Sequence, residues 1–443
     1  MTSTTREEDC RPDGKASPLK HLARSLRHRN FRIYFLGQGV SLIGTWMQMT
    51  AMSWLVYRLS GSAFLLGLVG FTSQLPASFL APLAGVLVDR WDRRRLLIIT
   101  QILSMVQALL LAVLSYMGVI AVWHIIVLSV LLGLVNAFDI PGRQSFLVEM
   151  LDNKEDLGNA IALQSSLFNG ARLIGPSIAG LIIASYGEAA CFFLNGISYA
   201  AIIYGFAVMR VAPHIKGVLH AHLLHELKEG ALYTFQSVPI RTILMFLALA
   251  SLLGTSFQAL MPVFAKDILH GGPRTLGALM AAGGLGALVG AVYLAWRKNV
   301  LGLPKVIAAA ATVFPAALIA FSFSRNLMPS FLLMMAAGVG MMVHMGSSNI
   351  IIQTITDDSK RGRVMSFYTL SFMGMAPFGS LLAGLMADHW GAPRTLVVNG
   401  AFFAVGTLIY VLHLPQLRAH MRPIYIRKGI LPAPENVPPL AVS

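Results

Sequence analysis

The run Gly85-Val-Leu-Val-Asp89-Arg90-Trp91-Asp92-Arg93-Arg94-Arg95 decides how this chain is read. Its last seven residues carry six charges, yet long apolar segments, 62–88 and 96–117, lie on either side. At ~1.5 Å per helical residue, each flank is long enough to cross a hydrocarbon core about 30 Å thick. Arginines are costly in lipid, so the charged run belongs at a membrane face, as a tight turn between two spans. Gly85 permits close helix approach there, and Asp89 falls where helix gives way to loop.

The composition agrees with that reading. Hydrophobic residues make up 56% of the 443 positions and charged residues 12%, against about a quarter charged in soluble domains. The apolar runs are too long and too uncharged for two or three soluble cores, so an all-α polytopic membrane protein is expected. Two cysteines, Cys10 in a polar tail and Cys191 in a span, provide no disulfide framework. The first twenty residues hold acids and prolines but no apolar core, so no cleavable signal peptide is expected.

Apolar runs bounded by charge, Gly or Pro give twelve spans: 32–57, 62–88, 96–117, 122–147, 158–184, 189–209, 240–265, 275–296, 303–323, 329–354, 363–387 and 394–414. An even number places both termini on one side. On that side the tails, loops and span edges hold 27 Lys/Arg, against 5 on the other, with Arg143 and Arg172 inside spans 4 and 5. This asymmetry predicts cytoplasmic termini in a cell (inner) membrane. It also accounts for the net charge of +15 through topology and anionic headgroups. The basic residues are scattered over many short loops, so no nucleic-acid partner is expected.

The chain repeats itself. A shift of 204 residues lays Gly170, Gly175, Ala179, Gly180 and Leu181 onto Gly374, Gly379, Ala383, Gly384 and Leu385, and Gly158 and Gly187 onto Gly362 and Gly391. Small residues at fixed spacing let helices approach closely, which matters in lipid, where packing drives association. Span 5 is thus equivalent to span 11, and the chain divides into two six-span halves. The expected organisation is an N-terminal tail (1–31), an N-terminal half (32–210), a linker (211–239), a C-terminal half (240–414) and a C-terminal tail (415–443). Within the linker, Leu219, Leu223, Leu224, Leu227 and Ala231 share one helical face, opposite His222, His225, Glu226 and Glu229, as in an amphipathic surface helix. The His/Glu face is read as solvated rather than metal-binding, because no recognised ligand motif accompanies it. The tail reads as a basic membrane-adjacent segment followed by a Pro-rich, disordered end.

The charged run resembles the signature loop between the second and third helices of the major facilitator superfamily, roughly G-x-x-x-D-R-x-G-R-R/K. Gly85, Asp89, Arg90, Arg93 and Arg94 match, and Asp92 stands where glycine is usual. In span 5, Ala171-Arg172-Leu-Ile-Gly175-Pro176-Ser-Ile-Ala179-Gly180 is similar to the family's antiporter motif, with Gly175, Pro176 and Gly180 matching and alanines at two glycine positions. Together with Asp139-Ile-Pro-Gly-Arg143 and the linker's 227–232, these runs resemble the enterobactin-exporter and macrolide-efflux branch. The resemblance implies a major facilitator fold, twelve helices in two six-helix halves, with substrate bound between the halves by alternating access. It also implies that the span-5 small face helps to close the outward side.

Intramembrane charges are the first site candidates, because they are rare and usually face the bundle interior. Asp139 and Arg143 are one helical turn apart, and Arg172 lies about one turn or two of helix away in depth, so either arginine is placed to neutralise the acid. Two readings stay open, a static structural pair or an acid that takes up a proton when substrate leaves. The arginine that exporters of this kind often carry before the span-4 glycine is Ser129 here, which passes the coupling role to Asp139 or Glu149. The resemblance places spans 1, 4, 7 and 10 around the cavity. Their polar residues include Gln38, Gln48, Asn136, Gln258, His344, Asn349 and Gln353, with Trp46, Phe257 and methionines as an adaptable apolar wall.

The function expected is export of a small organic molecule, drug-like or a siderophore, by a monomer that exchanges it for protons. No phosphate-binding loop is visible, and no cofactor or enzymatic activity is expected. An uptake permease of the same fold is the near rival. A membrane-embedded transferase would need clustered acids or histidines at a face, and Glu155–Asp156 and Asp357–Asp358 have no obvious metal-ligand companion.

Overall fold

A computed structural model describes residues 24–88, 90–209, 223–297 and 299–432. Asp89, most of the N-terminal tail, His222 and the Pro-rich end therefore lie outside the described residues, as do the linker side chains up to 228.

Twelve long rods are described. The first six are α1 (Arg29–Ser60), α2 (Ala63–Val88), α3 (Arg93–Tyr116), α4 (Val122–Glu149), α5 (Leu157–Tyr186) and α6 (Glu188–Val208). After a linker helix, Leu223–Gln236, come α7 (Val238–Ile268), α8 (Pro273–Trp296), α9 (Leu303–Phe323), α10 (Leu327–Ile355), α11 (Asp358–Trp390) and α12 (Ala392–Arg427). Eleven of them are long and apolar enough to cross a membrane. The other, α1, spans 32 residues, but Gln38, Ser41, Gln48 and Thr50 dilute its apolar character.

The helix ends follow from local chemistry. Gly61 closes α1 in the left-handed region at φ 63°, its N–H bonded to Tyr57 O at 2.9 Å. Asp92, the departure from the signature pattern, caps α3 by accepting from the Arg95 N–H at 3.1 Å. Two elements are irregular. α7 contains wide π turns at Ala250–Gly254 and Phe264–Ile268, and α11 is interrupted between Met373 and Ala376.

One boundary is corrected. The stretch read as a C-terminal tail from 415 continues α12 to Arg427, through Pro415 and Pro423. Leu417, Met421 and Tyr425 recur every fourth residue and are buried, so one apolar stripe holds this extension down. Its end is fixed by Arg427 to Asp357 at 3.1 Å and by Lys428 donating to Thr356 O at 2.6 Å.

The sequence repeat reappears as repeated packing. A Cβ added at Gly175 would lie 2.5 Å from Trp46 Cβ on α1, and one at its repeat partner Gly379 would strike Leu252 O on α7. A Cβ at Gly180 would lie 2.8 Å from Pro273 O on α8, and one at its partner Gly384 2.7 Å from Ala63 O at the start of α2. Each half therefore uses the same helix face once inward and once across to the other half.

Candidate functional site

The two halves meet along two seams, α5 with α8 and α2 with α11. Both are tight toward the face opposite the termini. Besides Gly180 and Gly384, a Cβ on Gly277 would lie 2.5 Å from Pro176 O, and one on Gly67 2.5 Å from Ser380 O. Polar contacts close the same face: Tyr57 donates to Asp267, Ser62 donates to Asp388 at 3.1 Å, and Lys266 lies 5.4 Å from the Tyr57 ring centre. Toward the terminus-bearing face, four glycines of the seam helices stand in open space, although Gly286 and Gly290 of α8 pack closely on α10. An added Cβ at Gly85, Gly158, Gly170 or Gly362 would meet nothing within 4 Å.

Between the halves, near mid-depth, lies a small cavity, partly open to solvent. It is lined by Trp46 of α1, Arg172 and Pro176 of α5, Phe257, Gln258 and Met261 of α7, Leu279, Met280 and Gly283 of α8, and Met334 of α10. Trp46 stands edge-on to Phe168 at 5.7 Å between ring centres, and the Arg172 guanidinium lies 5.9 Å from the Trp46 ring. Of the cavity candidates, Trp46 and Gln258 line it, as do Phe257 and the methionines Met261, Met280 and Met334.

The others do not line this cavity. Gln48 is spent inside the N-terminal half, donating to Gln107 Oε1 at 2.9 Å and accepting from Asn195 Nδ2 at 2.8 Å. His344 is buried in the C-terminal half, edge-on to Phe246 at 4.8 Å, with both ring nitrogens unpartnered among the described residues. Asn349 accepts from Gln353 one turn away at 2.5 Å. Gln38 is buried and Asn136 half-buried, both away from this cavity. A helix presents one residue in three or four to any neighbour, and polarity alone does not say which. The lining of α5 and α8 was missed for the same reason. Its only sequence signal was Arg172 itself.

Asp139 is 2% exposed and is taken by Arg143, not by Arg172. It also accepts from Thr100 Oγ1 at 2.9 Å and Gln101 Nε2 at 2.7 Å on α3, so its oxygens are well supplied. α4 runs unbroken through Pro141 to Glu149, which keeps Asp139 in the bundle interior. Ser129, where a coupling arginine was sought, is buried with its hydroxyl 3.6 Å from Met52 sulfur. The signature-loop arginines are anchored within their own half. Arg93 pairs with Glu149, while Arg94 donates to Phe206 O at 2.6 Å and to Ala207 O, and Arg90 is exposed.

On the terminus-bearing face, His28 at the start of α1 bridges Asp152 and Asp156, 2.8 Å from each. Arg24 pairs with Asp156 as well, and Ser25 Oγ reaches Asn159 at 2.8 Å. The two carboxylate hydrogen bonds raise the His28 pKa above the ordinary histidine value, and the same contact lowers that of Asp156. A raised histidine stabilises the fold below its unfolded pKa, and the gain is lost as pH rises through the folded one. His28→Gln is therefore expected to lower thermal stability at roughly pH 6 and to converge on the parent as pH rises, as read by melting in detergent at several pH values. A constant deficit at all pH values would assign His28 to packing alone.

Comparison with known families is decisive at this point: the family described as transmembrane secretion effector matches residues 21–430. The chain belongs to that family, within the major facilitator superfamily. Its relatives include the staphyloferrin A transporter of Staphylococcus aureus, 27% identical over 86% of this chain and 95% of the relative. They also include the multidrug efflux pump Tap of Mycolicibacterium fortuitum, 27% identical over 86% and 93%. Macrolide efflux protein A of Streptococcus pyogenes is 24% identical over 86% and 95%. Among solved structures, a bacterial homologue of the human lysosomal transporter Spinster, inward-facing and unoccupied, superposes with a TM-score of 0.67 at 14% identity. That match covers 89% of this chain and 98% of the homologue. A POT family transporter in complex with 5-aminolevulinic acid reaches 0.72 at 11% identity, over 88% and 96%. The chain is thus a multi-pass membrane transporter for small molecules and not an enzyme.

Proposed function

We propose that this protein exports a small organic molecule from the cytoplasm by alternating access, exchanging it for protons. The observation that carries the reading is the mid-depth cavity beneath a closed seam, with the seam glycines open toward the terminus-bearing face. That face carries the Lys/Arg excess, which supports cytoplasmic termini and a cavity loaded from inside. Two of the three relatives above are efflux proteins by name, which supports the outward direction.

The antiporter-like face supports the mechanism. Gly175 seats α5 on α1, and Gly180 seats it on α8, so the motif builds the seam that must open for release. Glu149, held by Arg93 at the end of α4, and Asp139 are the acids proposed to carry protons. One chain supplies both walls of the cavity, which supports a monomer as the working unit. The signature loop is proposed to act in the alternate state, where the two halves would close on the terminus-bearing side.

Overproduction in cells deleted for the gene is expected to lower the retained amount of its substrate in a compound-accumulation screen. Collapse of the proton gradient should abolish the difference. Accumulation that rises with expression would establish an uptake permease instead, and efflux that survives the uncoupler would remove the antiport step.

A further inference from the structure

Among the described residues, bookkeeping of charge inside the bundle leaves Arg172 over. Arg143 is matched by Asp139, Arg93 by Glu149, and Arg58 by Glu188, the last at 2.7 Å. Arg172 meets no carboxylate and donates no hydrogen bond among the described residues. No acidic residue lines the cavity onto which it faces. A guanidinium stays charged at any accessible pH, so it cannot escape the cost of partial burial by giving up its proton. The Trp46 ring face offsets only part of that cost.

The backbone that bears the guanidinium is held in place. A Cβ on Gly284 of α8 would lie 3.0 Å from Arg172 O, so the two backbones are in close contact at this point. On the other side, Trp46 supports the guanidinium at 5.9 Å. A planar fork with free N–H groups is suited to bidentate pairing with a carboxylate or a comparable oxyanion. The remaining wall is apolar and adaptable: Phe257, Met261, Met280 and Met334, with the Gln258 amide as an additional hydrogen-bonding group.

We propose that the cavity selects amphipathic organic anions, whose negative group pairs with Arg172 while their apolar body lies against Trp46, Phe257 and the methionines. This rests on the cavity being the transport site and names its substrate class. The anion supplies the counter-charge that the protein omits, so loading the cavity also neutralises the charge that an empty carrier must bury when it closes.

Equilibrium binding tests this with the full chain in phosphatidylcholine nanodiscs, whose surface has no net charge, and empty discs as the partition reference. The probes are 2-naphthylacetate and 2-naphthylmethylammonium, matched in apolar body and opposite in charge. The anion is expected to bind roughly tenfold or more tightly than the cation. Arg172→Gln should erase that preference. Arg172→Lys, which keeps the charge but loses the fork, should retain part of it and shows that the effect is not misfolding. Equal or stronger binding of the cation by the parent chain, or an unchanged anion preference in Arg172→Gln, would overturn the proposal. Binding of neither probe would overturn the cavity as the transport site, and this inference with it. Anion preference without cellular efflux would instead sink the export reading and leave the charge selectivity standing.

Discussion

Gly277→Leu is expected to reduce transport about tenfold or more while leaving the chain in the membrane. In the present state a Cβ at 277 would lie 2.5 Å from Pro176 O and 3.1 Å from the Gly180 Cα. Both neighbours are backbone, so neither can rotate away, and the α5–α8 seam must part to admit a side chain. Overpacking of this kind costs about 1–3 kcal/mol, which shifts a two-state equilibrium by roughly 5- to 150-fold. The state open to the opposite face carries no such penalty and becomes the resting state. Ser62→Cys, placed at the rim of the other seam with Cys10 and Cys191 replaced, should then react faster with an impermeant maleimide. Unchanged labelling and unchanged transport would show that the seam never closes this tightly in the membrane. Gly85→Leu gives the converse test. It has free space in the present state, so any loss of transport must come from the alternate state, with labelling at 62 slowed rather than raised.

The second large effect concerns the buried pair on α4. Arg143→Gln leaves the Asp139 carboxylate, 2% exposed, with only the Thr100 hydroxyl and the Gln101 amide. Removing one partner of a buried ion pair costs about 3–5 kcal/mol, because the other charge remains without its counterpart. Abundance of the single variant in the membrane should therefore fall severalfold or more, and its melting temperature should fall with it. Asp139→Asn combined with Arg143→Gln removes both charges and should restore abundance. Gradient-driven efflux in that double variant decides the role of the pair. If efflux is retained, the pair only fixes α3 against α4, and Glu149 is the acid to examine. If efflux is lost at normal abundance, Asp139 is the proton carrier. Arg172→Ala should leave abundance nearly unchanged by comparison, because no acid depends on it.

The fold was largely legible in the sequence because lipid makes strong demands. Every span must be long, apolar and internally hydrogen-bonded, and every arginine cluster must reach a face. The 204-residue shift carried further information, since Gly175 and Gly379, and Gly180 and Gly384, make corresponding contacts. The site was less legible. Polar residues on a cavity-lining helix are as useful for holding helices together as for meeting substrate, and Gln48 and Asn195 do the former. Asp139 and Arg172 look like partners on a linear scale of depth, but Arg172 faces Trp46 and the cavity, whereas Arg143 is one turn from the acid. Boundaries failed where amphipathicity replaced hydrophobicity. The stripe of Leu417, Met421 and Tyr425 is interleaved with arginines and histidine, which made the end of α12 read as a tail.

The wide turns of α7 have a mechanical consequence. An unbroken α-helix transmits torsion along its axis, so twisting one end rotates every side chain it bears. In α7 the seven residues Phe257–Val263, which carry three side chains of the cavity wall, are set between two turns of looser hydrogen bonding. Above and below, the rod is fastened to different partners, Ser251 to the Phe372 carbonyl on α11 and Asp267 to Tyr57 on α1. The middle piece is therefore set off from both fastenings, so a twist taken up in the looser turns need not be passed on to Gln258 and Met261.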